Sequence, residues 1–208
     1  MQVSAEVRWF WSNPVPELEK WFRDAGSHGF PAGGGSPRTD EYVRDPEQVE
    51  LGVKRRGKKK GVEVKGLVRV DWSGQAVAPF SGPIEFWTKW TAAALDLGAS
   101  AMVITEKTRW LRKFDTTGPI PHELQLDADE KPMQGTSLPA LGCNVEFTHV
   151  KVPQGVEAWT LGFESFGTLE TAGNDLRAVA SLLADRVPPV LPVGLRMSYP
   201  SWLARLGK

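Results

Sequence analysis

From Val3 to Trp11 the chain alternates, with Val3, Ala5, Val7, Trp9 and Trp11 set against Ser4, Glu6, Arg8 and Phe10. This is the period of a strand, in which successive side chains face opposite ways. The same period predicts two strands between Arg38 and Val68. In the first, Glu50, Gly52, Lys54 and Arg56 share one face and Leu51, Val53 and Arg55 the other. In the second, Glu63, Lys65 and Leu67 oppose Val62, Val64 and Val68, and a glycine-bracketed turn joins the pair. Ala101 to Phe114 repeats the pattern, placing Lys107, Arg109, Leu111 and Lys113 on one face and Glu106, Thr108, Trp110 and Arg112 on the other. Cys143 to Val152 and Val156 to Phe166 read as two more strands around the turn at Pro153 to Gly155.

Helical spacing accounts for the other apolar runs. Asn13 and two prolines start a short helix with Leu18, Trp21 and Phe22 on one stripe and Glu17 and Glu19 in the first turn, where they favour the helix dipole. Phe86, Trp87, Trp90, Ala93, Ala94 and Leu97 recur at helical intervals and predict a helix from Phe86 to Leu97. Asn174 or Asp175 caps a further helix to about Asp185, and Ser198 to Leu206 forms a short one. Between these elements, Gly26 to Pro37 is a mobile loop whose least ordered point is Gly33 to Gly35; Ser73 to Pro83 is turn-rich, and Asp115 to Pro139 is a long polar connection. No repeat or boundary divides the chain, so one domain over residues 1–208 is expected.

Composition narrows the function classes. Lys plus Arg and Asp plus Glu number 25 each, which removes the global basic excess of a dedicated nucleic-acid binder. Any polyanion site is therefore local. The single Cys143 rules out an intramolecular disulfide, and neither a leader pattern nor a membrane-length apolar stretch is present. A cytoplasmic protein without a membrane partner is expected.

The strand faces that carry charge have two readings. They are either solvated sheet surface or the lumen of a barrel, where converging Lys and Arg would bind a compact polyanion under weak water screening. The cluster KRRGKKK, Lys54 to Lys60, reads as a hairpin tip, with Lys58, Lys59 and Lys60 in water and Lys54 and Arg56 entering the barrel. Nucleic-acid contact through those three exposed lysines is the weaker alternative. His28, His122 and His149 lack paired spacing, and the glycine loop is not followed by lysine and serine or threonine, so neither a histidine metal site nor a P-loop is indicated.

Taken in order, RTDEY with Asp40 and Tyr42, VKRR with Lys54 and Arg56, GVEVKG with Lys65, EKTR with Lys107 and Arg109, and the terminal SYPSWLARL resemble the CYTH superfamily, the triphosphate tunnel metalloenzymes, which include thiamine-triphosphatase-like proteins. The resemblance implies an α+β fold, a closed or nearly closed antiparallel β-barrel of about eight strands with flanking helices. It implies that Arg8, Lys54, Arg56, Lys65, Lys107 and Arg109 grip the triphosphate of tripolyphosphate or of a nucleoside or thiamine triphosphate. Glu6, Glu146 and Glu164 would hold Mg2+ or Mn2+, and Glu6, Glu164 and Lys65 would serve the chemistry of a phosphoanhydride hydrolase.

Two motifs depart from that pattern. The family opens on glutamate, any residue, glutamate, any residue, lysine, whereas SAEVR offers Ser4, Glu6 and Arg8, and the other register, EVRWF, offers Glu6, Arg8 and Phe10. WTLGFES carries Glu164 but has Gly162 where a second glutamate is usual. The same fold without turnover, a polyanion or nucleotide binder, is the alternative function. In it Glu6, Glu146 and Glu164 are internal salt-bridge partners of the basic residues.

Overall fold

A computed structural model describes residues 2–30, 35–57, 60–73, 78–98, 100–133, 137–153 and 155–206. Gly33 and Gly34 of the glycine loop, and Lys58 and Lys59 of the basic turn, lie outside the described residues. Strands β1 (Gln2–Trp11), β2 (Ser36–Val43), β3 (Leu51–Arg56), β4 (Val62–Asp71), β5 (Ile84–Ala92) and β6 (Met102–Asp115) precede β7 (His122–Leu124), β8 (Gly142–Val152), β9 (Val156–Gly167) and β10 (Leu195–Arg196). Helix α1 (Pro16–Asp24) follows β1, α2 (Ala172–Ala184) follows β9, and α3 (Tyr199–Ala204) follows β10.

Eight of the strands close on themselves. The order β1-β5-β4-β3-β2-β6-β8-β9 is joined at its ends by the β1–β9 pairing, and every pair is antiparallel. Closure satisfies the ladder hydrogen bonds of both would-be edge strands. The α+β barrel with flanking helices expected from the sequence is thus present. β7 and β10 are short additions to β6 and β1.

Alternation along each strand then divides the side chains between the inside of the barrel and its outer wall. On β1, Ala5, Val7, Trp9 and Trp11 are buried on the outer face, where Leu18 and Phe22 of α1 and Leu176, Val179 and Leu183 of α2 cover them. Val145, Phe147, Leu161 and Phe163 extend this layer across β8 and β9. The main apolar core therefore lies outside the barrel, between its β1-β9-β8 wall and two helices, and each fully buried phenylalanine there contributes about 1.5–3 kcal/mol of transfer free energy. The opposite, inward face is left free to be polar.

A second, smaller apolar cluster stops one end of the barrel. Phe10, Tyr42, Val103, Val150 and Ala158 point inward and pack on Trp202 and Leu203 of α3. Phe10 stacks on Trp202 with ring centroids 5.2 Å apart, and Tyr42 stacks on Tyr199 at 5.7 Å. Ser198 caps this helix by accepting from the Ser201 N–H at 3.3 Å.

Several sequence expectations need correction, and the loop expected to run to Pro37 gives way at Ser36 to strand β2, which the sequence reading did not anticipate. The helix from Phe86 to Leu97 is instead strand β5 followed by bends. Its aromatics fit either period, and the strand wins because β5 sits between β1 and β4, hydrogen-bonded to both, with β-branched Thr88 and Thr91 suited to that setting. The connection from Asp115 to Pro139 contains β7, and α2 starts at Ala172 behind an N-cap at Thr171 rather than at Asn174 or Asp175. A bulge between Leu67 and Arg69 ends the simple alternation of β4.

Candidate functional site

The inward face of the barrel carries salt bridges along its length. On β1, Arg8 meets Glu146 of β8 at 2.6 Å and donates to Thr160 Oγ1 of β9 at 3.0 Å. Glu146 is shared, since Arg109 of β6 reaches its other oxygen at 3.3 Å. Burial pushes the Glu146 carboxyl up, but Arg8, Arg109, Arg38 and Lys107 together hold it well below the usual carboxylate range.

Asp40 of β2, fully buried, is likewise shared, by Lys107 at 3.1 Å and Arg38 at 3.0 Å. Lys107 also donates to Tyr42 Oη at 2.7 Å and lies 4.0 Å from the centre of the Tyr199 ring. Burial holds the Lys107 ammonium well below the usual lysine range despite the opposing pull of Asp40. Glu63 of β4 serves two cations, Lys54 at 3.0 Å and Arg56 at 3.3 Å. Lys65 pairs with Glu6, which also accepts from Ser4 Oγ at 2.6 Å, and Lys89 pairs with Glu164 at 3.1 Å.

The cavity these residues enclose has a volume of about 60 Å³. Eight basic side chains and four carboxylates line it, and Asp40 behind Lys107, Glu85 opposite Glu6 and Glu130 on Arg109 raise the carboxylates to seven, leaving a formal excess of one positive charge. The excess is uneven. Glu6, Glu85 and Glu164 outnumber Lys65 and Lys89, whereas Glu146, Asp40 and Glu63 each serve two of the other six cations. Among the described residues, buried polar atoms without a partner gather in the same lumen, including Arg38 Nε, Arg56 Nε and Asp40 Oδ1. A buried donor without a partner is costly, and an anion entering the lumen would supply the acceptor.

All the substrate-binding residues expected from the sequence come together here: Arg8, Lys54, Arg56, Lys65, Lys107 and Arg109 line one cavity, as do Glu6, Glu146 and Glu164. The basic turn splits as expected in its described part, with Lys54 and Arg56 inward and Lys60 exposed. Sequence reasoning missed Arg38, Glu63 and Lys89 as site residues. Arg38 follows from extending the Asp40, Tyr42 alternation two residues back. Lys89 was hidden by the helical reading of residues 86–97, because period two puts Glu85, Trp87 and Lys89 on one face.

Gly162 acquires a physical role in place of the missing glutamate. A Cβ at this position would lie 2.4 Å from Arg8 Cζ, so the bare backbone of β9 provides the room in which the Arg8 guanidinium lies.

The carboxylates do not assemble a metal site. Glu6 and Glu164 face each other across β1 and β9, but each is engaged by a lysine, and Glu146 is held between two arginines. Among the described residues no group of three or more His, Cys, Asp and Glu side chains is arranged to hold a metal ion. As they are paired here the carboxylate oxygens do not converge on one point, so the arrangement does not fit Mg2+ or Mn2+.

Lys54 gives the lumen a measurable titration. Burial first, and the neighbouring Arg56 next, lower its ammonium to about 8, against the pull of Glu63 and Asp40. A bound polyanion favours the charged form and raises that value, so binding near pH 8 takes up a proton and affinity falls as pH rises through this range. Where tripolyphosphate binds, calorimetry in buffers of different ionisation enthalpy should show this uptake, and Lys54→Met should reduce it, leaving the uptake at Lys107, whose ammonium burial also lowers, and the protons exchanged by the ligand.

No helix among the described residues is long and apolar enough to cross a membrane. No protein-family model matches this chain, and no curated protein matches it.

Proposed function

We propose that the barrel lumen binds a triphosphate-containing small molecule, such as tripolyphosphate or a nucleoside or thiamine triphosphate, and acts as a polyanion receptor rather than a hydrolase. The observation that carries this reading is the convergence of eight basic side chains on one enclosed lumen, three of whose carboxylates are each shared by two of them. The order of motifs that resembles the CYTH superfamily supports the same ligand class. A cavity of about 60 Å³ admits only a few atoms, so the ligand enters by exchange. Phosphate oxygens replace the carboxylates on the Arg and Lys donors with the same charge-assisted geometry, while the freed glutamates turn to solvent.

Arg38 marks the entrance. It lines both the tunnel and a second cavity of about 680 Å³, bordered by Arg55, Gly57 and Ala94, which opens beside the basic turn. The reading keeps the cytoplasm as the compartment, in which the buried, unpaired Cys143 stays reduced.

Catalysis is the part of the family pattern that the geometry favours least, since Glu6, Glu146 and Glu164 are committed to cations. Tripolyphosphate at about 100 times its Kd should raise the melting temperature by roughly 5–10 °C, and incubation with Mg2+ or Mn2+ should release no phosphate. Metal-dependent release at a catalytic rate would restore the hydrolase reading. Absence of any thermal shift, with tripolyphosphate or either triphosphate, would remove the receptor.

A further inference from the structure

Arg109 has a second carboxylate partner that belongs to no barrel strand. Glu130 sits near the tip of a tight loop between β7 and β8, held by a bridge between Leu126 and Pro132 and by the Met133 N–H donating to the Gln125 carbonyl at 3.0 Å. Within the loop, Asp127 Oδ1 accepts from the backbone N–H groups of Asp129 and Lys131, both at 2.9 Å. The turn forces Glu130 to a φ of +59°, a left-handed conformation that a glutamate rarely adopts. Its side chain grips the Arg109 fork through both oxygens, Nε to Oε1 at 3.1 Å and Nη2 to Oε2, while its carbonyl accepts from Lys113 Nζ at 2.8 Å.

This bidentate contact is made where two cavities meet. Arg109 lines both the tunnel and an outer cavity of about 270 Å³, whereas Glu130 lines only the outer one. The guanidinium thus presents one edge to Glu146 inside the barrel and another to a carboxylate brought in from outside.

Resting on the anion-binding function proposed above, we infer that Glu130 is an exchangeable occupant of the Arg109 fork, a positioning residue that holds the place of a ligand phosphate and leaves when the ligand arrives. A planar carboxylate satisfies the same two donors as two oxygens of a phosphate. The donor is therefore kept paired in the free protein, and binding exchanges one bidentate contact for another. Departure of Glu130 also joins the outer cavity to the tunnel, giving a triphosphate the length that the lumen alone lacks. The cost of displacing this contact sets the affinity of the site, so the residue tunes which anions compete successfully.

The test is a double-mutant cycle read by calorimetric titration of tripolyphosphate into the full chain in metal-free buffer. Glu130→Gln removes the charge, and Glu130→Gly removes the side chain while suiting the left-handed backbone, so at least one variant keeps the fold. Each should bind tripolyphosphate about tenfold more tightly than the wild type, even though Glu130→Gln melts at a lower temperature without ligand. In an Arg109→Met background the same substitutions should change affinity less than twofold. A gain in affinity together with a loss of stability is not what a merely structural salt bridge gives. Unchanged or weaker binding by both variants, with the wild type still binding, overturns the exchange and leaves the receptor reading intact. A gain that persists in Arg109→Met also overturns it, as long-range charge alone would then suffice. Failure of all these proteins to bind tripolyphosphate overturns the receptor reading and the exchange with it.

Discussion

Glu146→Gln should lower the melting temperature by roughly 6–20 °C. Glutamine keeps the size of the side chain but leaves Arg8 without its carboxylate and Arg109 with Glu130 alone. Removing one partner of a buried ion pair costs about 3–5 kcal/mol because the remaining charge stays desolvated, and each kcal/mol shifts a chain of this size by about 2–4 °C. Calorimetric melts will read the effect directly, and excess tripolyphosphate should restore more of the loss than it adds to the wild type, since it supplies the missing anion. The same carboxylate shapes the acid limb of stability. Its folded-state value lies well below the ordinary 4.5 despite burial, because Arg8, Arg109, Arg38 and Lys107 outweigh the desolvation. Glu146 therefore contributes stability that is present above pH 4.5 and lost as pH falls toward the folded-state value, so Glu146→Gln should flatten that limb. A variant that melts like the wild type would mean that water reaches Arg8 and Arg109 freely and that the lumen is not a desolvated charge cluster.

Arg38→Met should weaken tripolyphosphate binding by roughly 30- to 1000-fold, corresponding to about 2–4 kcal/mol for a desolvated charge-assisted contact. Three observations single this residue out. Its Nε is buried without a partner, its guanidinium lies 3.0 Å from Asp40, and it lines both the tunnel and the outer cavity beside the basic turn. The fold should survive, because Asp40 keeps Lys107 at 3.1 Å and methionine preserves much of the apolar stem. Titration at two salt concentrations will separate direct contact from screening, since a lumen pair is screened far less than a surface one. Equal affinity in wild type and variant would place the ligand elsewhere.

How much of this was legible in the chain depended on period and on partners. Alternation in β1, β3, β4 and β6 exposed both faces of each strand, and with them Glu6, Arg8, Lys54, Arg56, Lys65, Lys107 and Arg109, because a strand fixes side-chain direction locally. Closure was not legible. It rests on the pairing of β1 with β9, 148 to 164 residues apart in the chain, and periodicity carries no information about partners. β5 was misread for a related reason. Phe86, Trp87 and Trp90 satisfy a helical stripe, and only the neighbours β1 and β4 make strand the better solution, which also concealed Lys89. The departures in the opening motif could be seen in sequence as a loss of carboxylates. Their physical meaning needed the fold: Ser4 donates to Glu6, Gly162 makes room for Arg8, and Arg8 holds Glu146. Glu130 left no signal at all, because its reach to Arg109 is created by a left-handed turn in an irregular loop.

The half of the lumen around Lys65 and Lys89 carries three carboxylates, Glu6, Glu85 and Glu164, and that negative charge tells against a strong phosphate site there. Glu85 stands beside Glu6 in the β1–β5 register, where burial first and Glu6 next raise its carboxyl above the usual range. The phosphates are therefore expected on the other side, among Arg8, Arg38, Lys54, Arg56 and Arg109, where Glu146, Asp40 and Glu63 each already serve two cations.

The claim that this lumen is a polyanion receptor is tested most directly by calorimetric titration of tripolyphosphate into the metal-free wild-type chain. Saturable binding of one ligand per chain is expected, with no Mg2+ required, proton uptake near pH 8, and affinity that survives a rise in salt better than binding to surface lysines would. Absence of heat at any salt concentration, or binding that appears only when Mg2+ is added, would contradict it.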